Sequence, residues 1–189
     1  MPPKPKFSRE QIIEKAFEIV RKDGLSTLTA RYLGEKLGSS ARPIFTVFDS
    51  MDDVIKEVIV RAKDLYSEYV AAGLASVPAF KGVGTQYILF AIKEPQLFRL
   101  LFMTINEQAN LGNILSLIDD NADEILSSVR NDYGLDDEKA KRLYMHLWVY
   151  THGIATMCAM KTCSFTGEEI SKMMSEVFVS MLKFVKAGK

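Results

Sequence analysis

The sequence predicts an all-α protein of about nine helices, and three observations carry that expectation. Apolar residues recur at three- and four-residue spacing along most of the chain. Ser, Thr and Asp stand just before these runs, where helices are capped, and no stretch alternates convincingly at the two-residue period of a strand. With 48% apolar residues among 189, the chain can bury a sizeable core in one or two compact domains. No uncharged apolar run approaches the ~18 residues of a membrane span. The opening Met-Pro-Pro-Lys-Pro-Lys has no apolar segment behind it and does not read as a signal peptide. Cys158 and Cys163 have no companions at zinc spacing, so a reduced, cytoplasmic protein without metal or cofactor is the simplest expectation.

Ser8 and Gln11 are spaced as a capping box for a first helix with Ile12, Ile13, Ala16, Phe17 and Val20 inward, ended by Gly24. Leu25 and Leu28 lead into a second helix, capped by Thr29, whose inward residues are Leu33 and Leu37. Gly38 can end it in a left-handed conformation. Gly34 falls on the inward side, where a missing side chain lets another helix cross closely. Ser40 then caps a third helix with Ala41, Arg42, Pro43 and Thr46 outward and Ile44 and Val47 or Phe48 inward. In a first turn Pro43 removes only an N–H that would be unpaired anyway, although it biases Arg42 away from helical angles. Two short helices about a tight turn are the pattern of a helix-turn-helix, whose second helix lies in the major groove of DNA.

Ser50 and Asp53 start a long fourth helix with Val54, Ile55, Val58, Ile59, Ala62, Leu65, Tyr66 and Tyr69 as its stripe, running to about residue 72. The segment 73–78 breaks it. Phe80, Val83, Tyr87, Ile88 and Ala91 mark helix five, and Pro95 stops it and opens helix six over 96–104. That helix is apolar nearly all round, with Arg99 its only charge, and should be buried. Helix seven covers 111–133 and ends at Gly134. Helix eight starts at Asp136 or Asp137 and carries Leu143, Tyr144, Leu147, Trp148, Thr151, Ile154 and Ala155. Thr166 and Glu169 form a second capping box before helix nine, with Ile170, Met173, Met174, Val177, Phe178, Met181, Leu182 and Val185. The expected organisation is a helix-turn-helix DNA-binding domain over 1–50, a linking helix over 51–72, and a ligand-binding and dimerisation domain over 73–189.

The first 60 residues resemble the DNA-binding domain of the TetR family of bacterial transcription regulators. A long first helix (7–22) precedes the helix-turn-helix, the aromatic pair Phe45 and Phe48 closes it, and Ser50 precedes Asp52-Asp53-Val54-Ile55. Further on, the stretches Ala91…Pro95…Phe98-Arg99-Leu100 and Trp148…His152-Gly153 resemble regulatory domains of that family. The resemblance implies that Phe45 stands where an aromatic residue, commonly Tyr, contacts the DNA backbone. Met51 stands where a Lys commonly meets a phosphate. It also implies a homodimer built from helices eight and nine.

Charge agrees with a nucleic-acid partner. Residues 1–50 hold nine Lys and Arg against six Asp and Glu, while the remainder is acidic and the whole chain is neutral. The expected contacts to double-stranded operator DNA are Thr29, Arg31, Ser40, Ala41, Arg42, Pro43, Phe45 and Thr46. Arg42 suits either a bidentate bond to guanine or a phosphate. Lys4 and Lys6 suit a minor-groove arm or a solvated tail.

In the C-terminal domain Tyr87, Phe90, Phe98, Phe102, Met103, Tyr144, Trp148, Thr151 and His152 suit the wall of a small-molecule cavity, with the polar Gln86 and Asn106 nearby. The same residue types also build ordinary helical cores, and His152 suits a core histidine as well as a ligand contact. Met157, Met160, Met173, Val177, Met181 and Val185 spread beyond one inward stripe of helices eight and nine, as a two-fold interface requires.

Catalysis has little to work with. His146 and His152 are six residues apart on one helix, and there is no metal-binding His pair, strained nucleophile turn or phosphate loop. The acidic pairs Asp119-Asp120, Asp136-Asp137 and Glu168-Glu169 stand near helix starts or on solvated faces, where carboxylates favour the helix dipole. The sequence therefore predicts a non-enzymatic, one-component transcription regulator, a repressor released by a small, largely apolar effector. The same residues also suit an all-helical ligand-binding or carrier protein with a degenerate helix-turn-helix, which Phe45 and Met51 favour.

Overall fold

Local capping decides where most helices begin. In a computed structural model that describes residues 5–104 and 120–188, Ser8 Oγ accepts the Gln11 N–H while Gln11 Oε1 accepts the Ser8 N–H. This reciprocal box opens helix α1 (Arg9–Asp23). Thr29 accepts from the Tyr32 N–H to start α2 (Ala30–Lys36). Ser50 accepts from the Asp53 N–H before α3 (Met51–Leu74). Then come α4 (Ala79–Lys93), α5 (Pro95–Phe102), α6 (Ala122–Tyr133), α7 (Asp137–Ala159) and α8 (Gly167–Lys186). Asp136 caps α7 through the Lys139 N–H, and Thr166 and Glu169 close a second box at α8. Each such cap contributes about 1 kcal/mol. The described residues contain eight α-helices, two single-turn 3₁₀ helices and no strand.

The chain divides into two units. The first takes residues up to Leu65 together with Gln96–Thr104; the second takes Tyr66–Pro95 and the C-terminal helices. In the first, Ile12, Ala16, Val20, Leu33, Ile44, Val54, Val58, Leu97 and Phe98 are buried. Arg9 ties three of its segments together. Its guanidinium lies 4.3 Å from the Phe48 ring centroid and 2.5 Å from Glu57 of α3. In the second unit α4 packs along α7, α7 along α8, and α6 against both α4 and α7. Phe90, Ala91, Ile125, Val129, Leu143 and Ile154 form its buried centre.

Gly34 and Gly38 shape the turn after α2. A Cβ on Gly34 would lie 2.7 Å from the Ser40 carbonyl carbon and 2.8 Å from the Ala41 nitrogen, so only glycine lets the returning backbone pass. Gly38 takes φ +68, the left-handed conformation expected of a helix end.

Two expectations are corrected. The third helix is not an α-helix: Ile44–Thr46 forms one 3₁₀ turn. Its bonds run from Ile44 to Ala41, Thr46 to Pro43 and Val47 to Ile44, with a single α-type bond from Phe48 to Ile44. Pro43 supplies no N–H, and the β-branched Ile44, Thr46 and Val47 favour extending a helix less than linear side chains do. Consequently Ser40 caps no helix. Of the two alternatives for the inward position, Phe48 is buried and Val47 is half-buried. Finally, the described part of helix seven begins at Ala122. Its expected start at Leu111, together with Lys4, Asn106 and Asp119, lies outside the described residues.

Candidate nucleic-acid surface and ligand cavity

The first unit presents a polar, partly basic surface around the turn. Thr29, Arg31, Ser40, Arg42, Phe45 and Thr46 are exposed, and Ala41 and Pro43 are half-buried. Two side chains among them have local roles. The Thr29 hydroxyl caps α2, and the Thr46 hydroxyl donates to the Pro43 carbonyl at 2.7 Å. Ile44 and Phe48 anchor the 3₁₀ turn to the core, which leaves Phe45 facing outward with 48% of its surface exposed. Several other cations of this unit are engaged: Arg9 with Glu57, Lys15 with Glu18, Lys56 with Asp53, and Arg61 with Glu14. Lys6 donates to the Ser39 hydroxyl at 3.0 Å. Arg31 and Arg42 have no acidic partner among the described residues, so their charge is available to an external anion.

The second unit encloses a cavity of about 320 Å³. Seven rings line it, from Tyr66, Phe80, Tyr87, Tyr133, Tyr144, Trp148 and Phe178, with Val83, Leu147, Met174 and Val179 filling the wall between them. Gly84 also lines it, and a Cβ there would come within 3.3 Å of the Met174 methyl, so the missing side chain leaves room. The polar contributors are few. The Thr151 hydroxyl is already committed, donating to the Leu147 carbonyl at 2.7 Å. Lys81 is the charged residue of the described wall. Trp148 Nε1 is screened from solvent and finds no hydrogen-bond partner among the described residues.

Beside this wall, the Tyr87 hydroxyl lies 2.9 Å from Nδ1 of His152. The His152 ring stacks on Trp148 with centroids 4.9 Å apart and planes 20° apart. Burial holds the His152 pKa below its ordinary value, because a charged imidazolium would lose hydration among these rings. The neutral form is the one the packing favours.

The structure brings Tyr87, Tyr144, Trp148 and Thr151 together in the cavity wall and sets His152 behind it. It does not gather the other expected residues there. Phe90 is fully buried, with its ring edge-on to Tyr66 and Tyr69 at 5.3 and 5.2 Å. Phe98, Phe102 and Met103 belong to the first unit, where the Phe98 and Phe102 rings lie 5.4 Å apart. Gln86 is half-buried and outside the lining. Sequence reasoning missed Tyr66, Phe80, Tyr133, Met174 and Phe178. All five except Tyr133 stood in its helical stripes, but periodicity does not separate a cavity wall from a core.

No family model matches the chain. Over 155 residues it is 26% identical to an uncharacterized HTH-type transcriptional regulator of Mycobacterium tuberculosis, a match that covers 80% of this chain and 70% of the relative. No helix of the described residues is long and apolar enough to cross a membrane.

Proposed function

We propose that this protein is a cytoplasmic, DNA-binding transcription regulator of the TetR type. It acts as a homodimeric repressor that leaves its operator when a small, largely apolar effector occupies the cavity. The observation that carries the proposal is the pair of exposed cations Arg31 and Arg42, without an acidic partner among the described residues and held on either side of the turn that Gly34 keeps tight. Phosphate contacts fix a protein on DNA, and base contacts from the same surface read sequence. The name of the mycobacterial relative supports the same class of function.

The effector acts through α3. Tyr66 lines the cavity and lies on the same continuous helix as Met51, at the edge of the expected DNA-contacting segment. A ligand that prefers one position of Tyr66 biases α3. In a dimer, that changes the separation of two DNA-reading surfaces that must match half-sites about 34 Å apart. Trp148, the single tryptophan, reports the cavity directly. Compounds that quench its emission should release the DNA upstream of the protein's own gene in a mobility shift. Quenching without release contradicts the coupling. That outcome favours a ligand carrier instead, to which the single 3₁₀ turn, Phe45 and Met51 already lend themselves.

A further inference from the structure

The charge of the described cavity wall has one sign, and the inference drawn from it rests on the proposed reading of that cavity as a ligand site. Lys81 is exposed and is the charged residue of the described wall, and no carboxylate pairs with it among the described residues. The Tyr133 phenol, whose pKa burial pushes up, stays protonated. By contrast, the Thr151 hydroxyl is spent on the Leu147 carbonyl and the Tyr87 hydroxyl is bonded to His152.

We infer that the cavity takes an amphipathic organic anion: an aromatic or branched apolar body among the rings, with its acidic group at Lys81. Ring faces attract cations too. A cationic ligand would nevertheless bring its charge toward Lys81, with no carboxylate in the described wall to offset the repulsion. A neutral apolar ligand would fill the rings but gain nothing from the lysine. Of the three, the anion gains an attractive charge interaction with the described wall.

The test uses N-phenylnaphthylamine, a neutral apolar probe, and three competitors that share one ring system: naphthylacetate, naphthylacetamide and naphthylethylammonium. The probe should bind the full chain, quench Trp148, and bind more weakly to Gly84→Leu, in which the cavity is partly filled. If it does none of these, the ligand-site reading fails and the anion inference falls with it. With the probe bound, the acid should displace it about fivefold more effectively than the amide at low ionic strength, as expected for a solvent-accessible ion pair, and the ammonium should be weakest. Lys81→Met should abolish the gap between acid and amide, and Lys81→Arg should keep it. An acid no better than its amide, or a gap that persists in Lys81→Met, overturns the inference while leaving the cavity itself intact.

Discussion

The Tyr87 hydroxyl and the His152 Nδ1, 2.9 Å apart, tie α4 to α7 beside the cavity. Burial lowers the folded pKa of His152 below the ordinary 6.5. As pH falls through 6.5 the unfolded chain therefore takes up the proton first, and stability declines until the folded pKa is passed. Above 6.5 the group contributes no pH dependence. Thermal melts of wild type and His152→Gln across this range should diverge at acid pH, with the wild type losing more of its neutral-pH stability. Parallel curves would contradict the assignment.

Gly34 makes a sharper structural prediction. Alanine is intrinsically the better helix former, by up to ~1 kcal/mol. Here its methyl would meet backbone atoms of Ser40 and Ala41 at 2.7 and 2.8 Å, which no side-chain rotation can relieve. The overpacking cost of roughly 1–3 kcal/mol should prevail. Gly34→Ala should melt several degrees below wild type and lose DNA affinity, because the segment that carries Arg42 must move. A variant as stable as wild type would show that the turn is looser than described.

Val185 is the buried residue of α8, although that helix carries Met173, Val177, Phe178, Met181 and Leu182 half-buried, and Val179 and Phe184 still more exposed. An amphipathic helix with so little of its apolar face covered suits a partner helix. Wild type should sediment as a dimer at micromolar concentration. Val177→Asp and Met181→Asp should give monomers or insoluble protein. A monomeric wild type ends the dimer proposal.

Met51 opens α3 where the family resemblance implies a phosphate-binding lysine. Met51→Lys should tighten binding to any DNA sequence and steepen its salt dependence by about one ion. Binding isotherms at several salt concentrations measure both quantities, and an unchanged slope would place Met51 away from the phosphates.

How much was legible in the sequence depends on the range of each signal. The boxes Ser8–Gln11 and Thr166–Glu169, the caps at Thr29 and Ser50, and the stops at Gly24, Gly38 and Gly134 are decided within about four residues, and all stand in the structure, while of the alternatives Asp136 and Asp137 it is Asp136 that caps. The third helix failed at Pro43, where the same short-range chemistry points two ways: proline suits a first turn yet restrains Arg42 before it. The cavity is a long-range property. Tyr66, Phe80, Tyr133, Trp148 and Phe178 come from five different helices, and a stripe on one helix cannot say whether the facing stripe meets it or leaves a gap. For the same reason Phe98 and Phe102 read as cavity residues, although their helix is grouped with the first unit.

That the turn after α2 meets DNA through Arg31 and Arg42 is tested most directly by fluorescence anisotropy of labelled upstream DNA. The titrants are wild type, Arg42→Ala and Arg31→Ala, each at two salt concentrations. Wild type should bind tightly and with marked salt sensitivity. Arg42→Ala should lose about 1–3 kcal/mol if Arg42 reads a base, and Arg31→Ala should weaken binding to all sequences alike with a shallower salt slope. Wild-type protein that does not bind this DNA at low salt, or an Arg42→Ala variant that binds as tightly as wild type, would contradict the proposal.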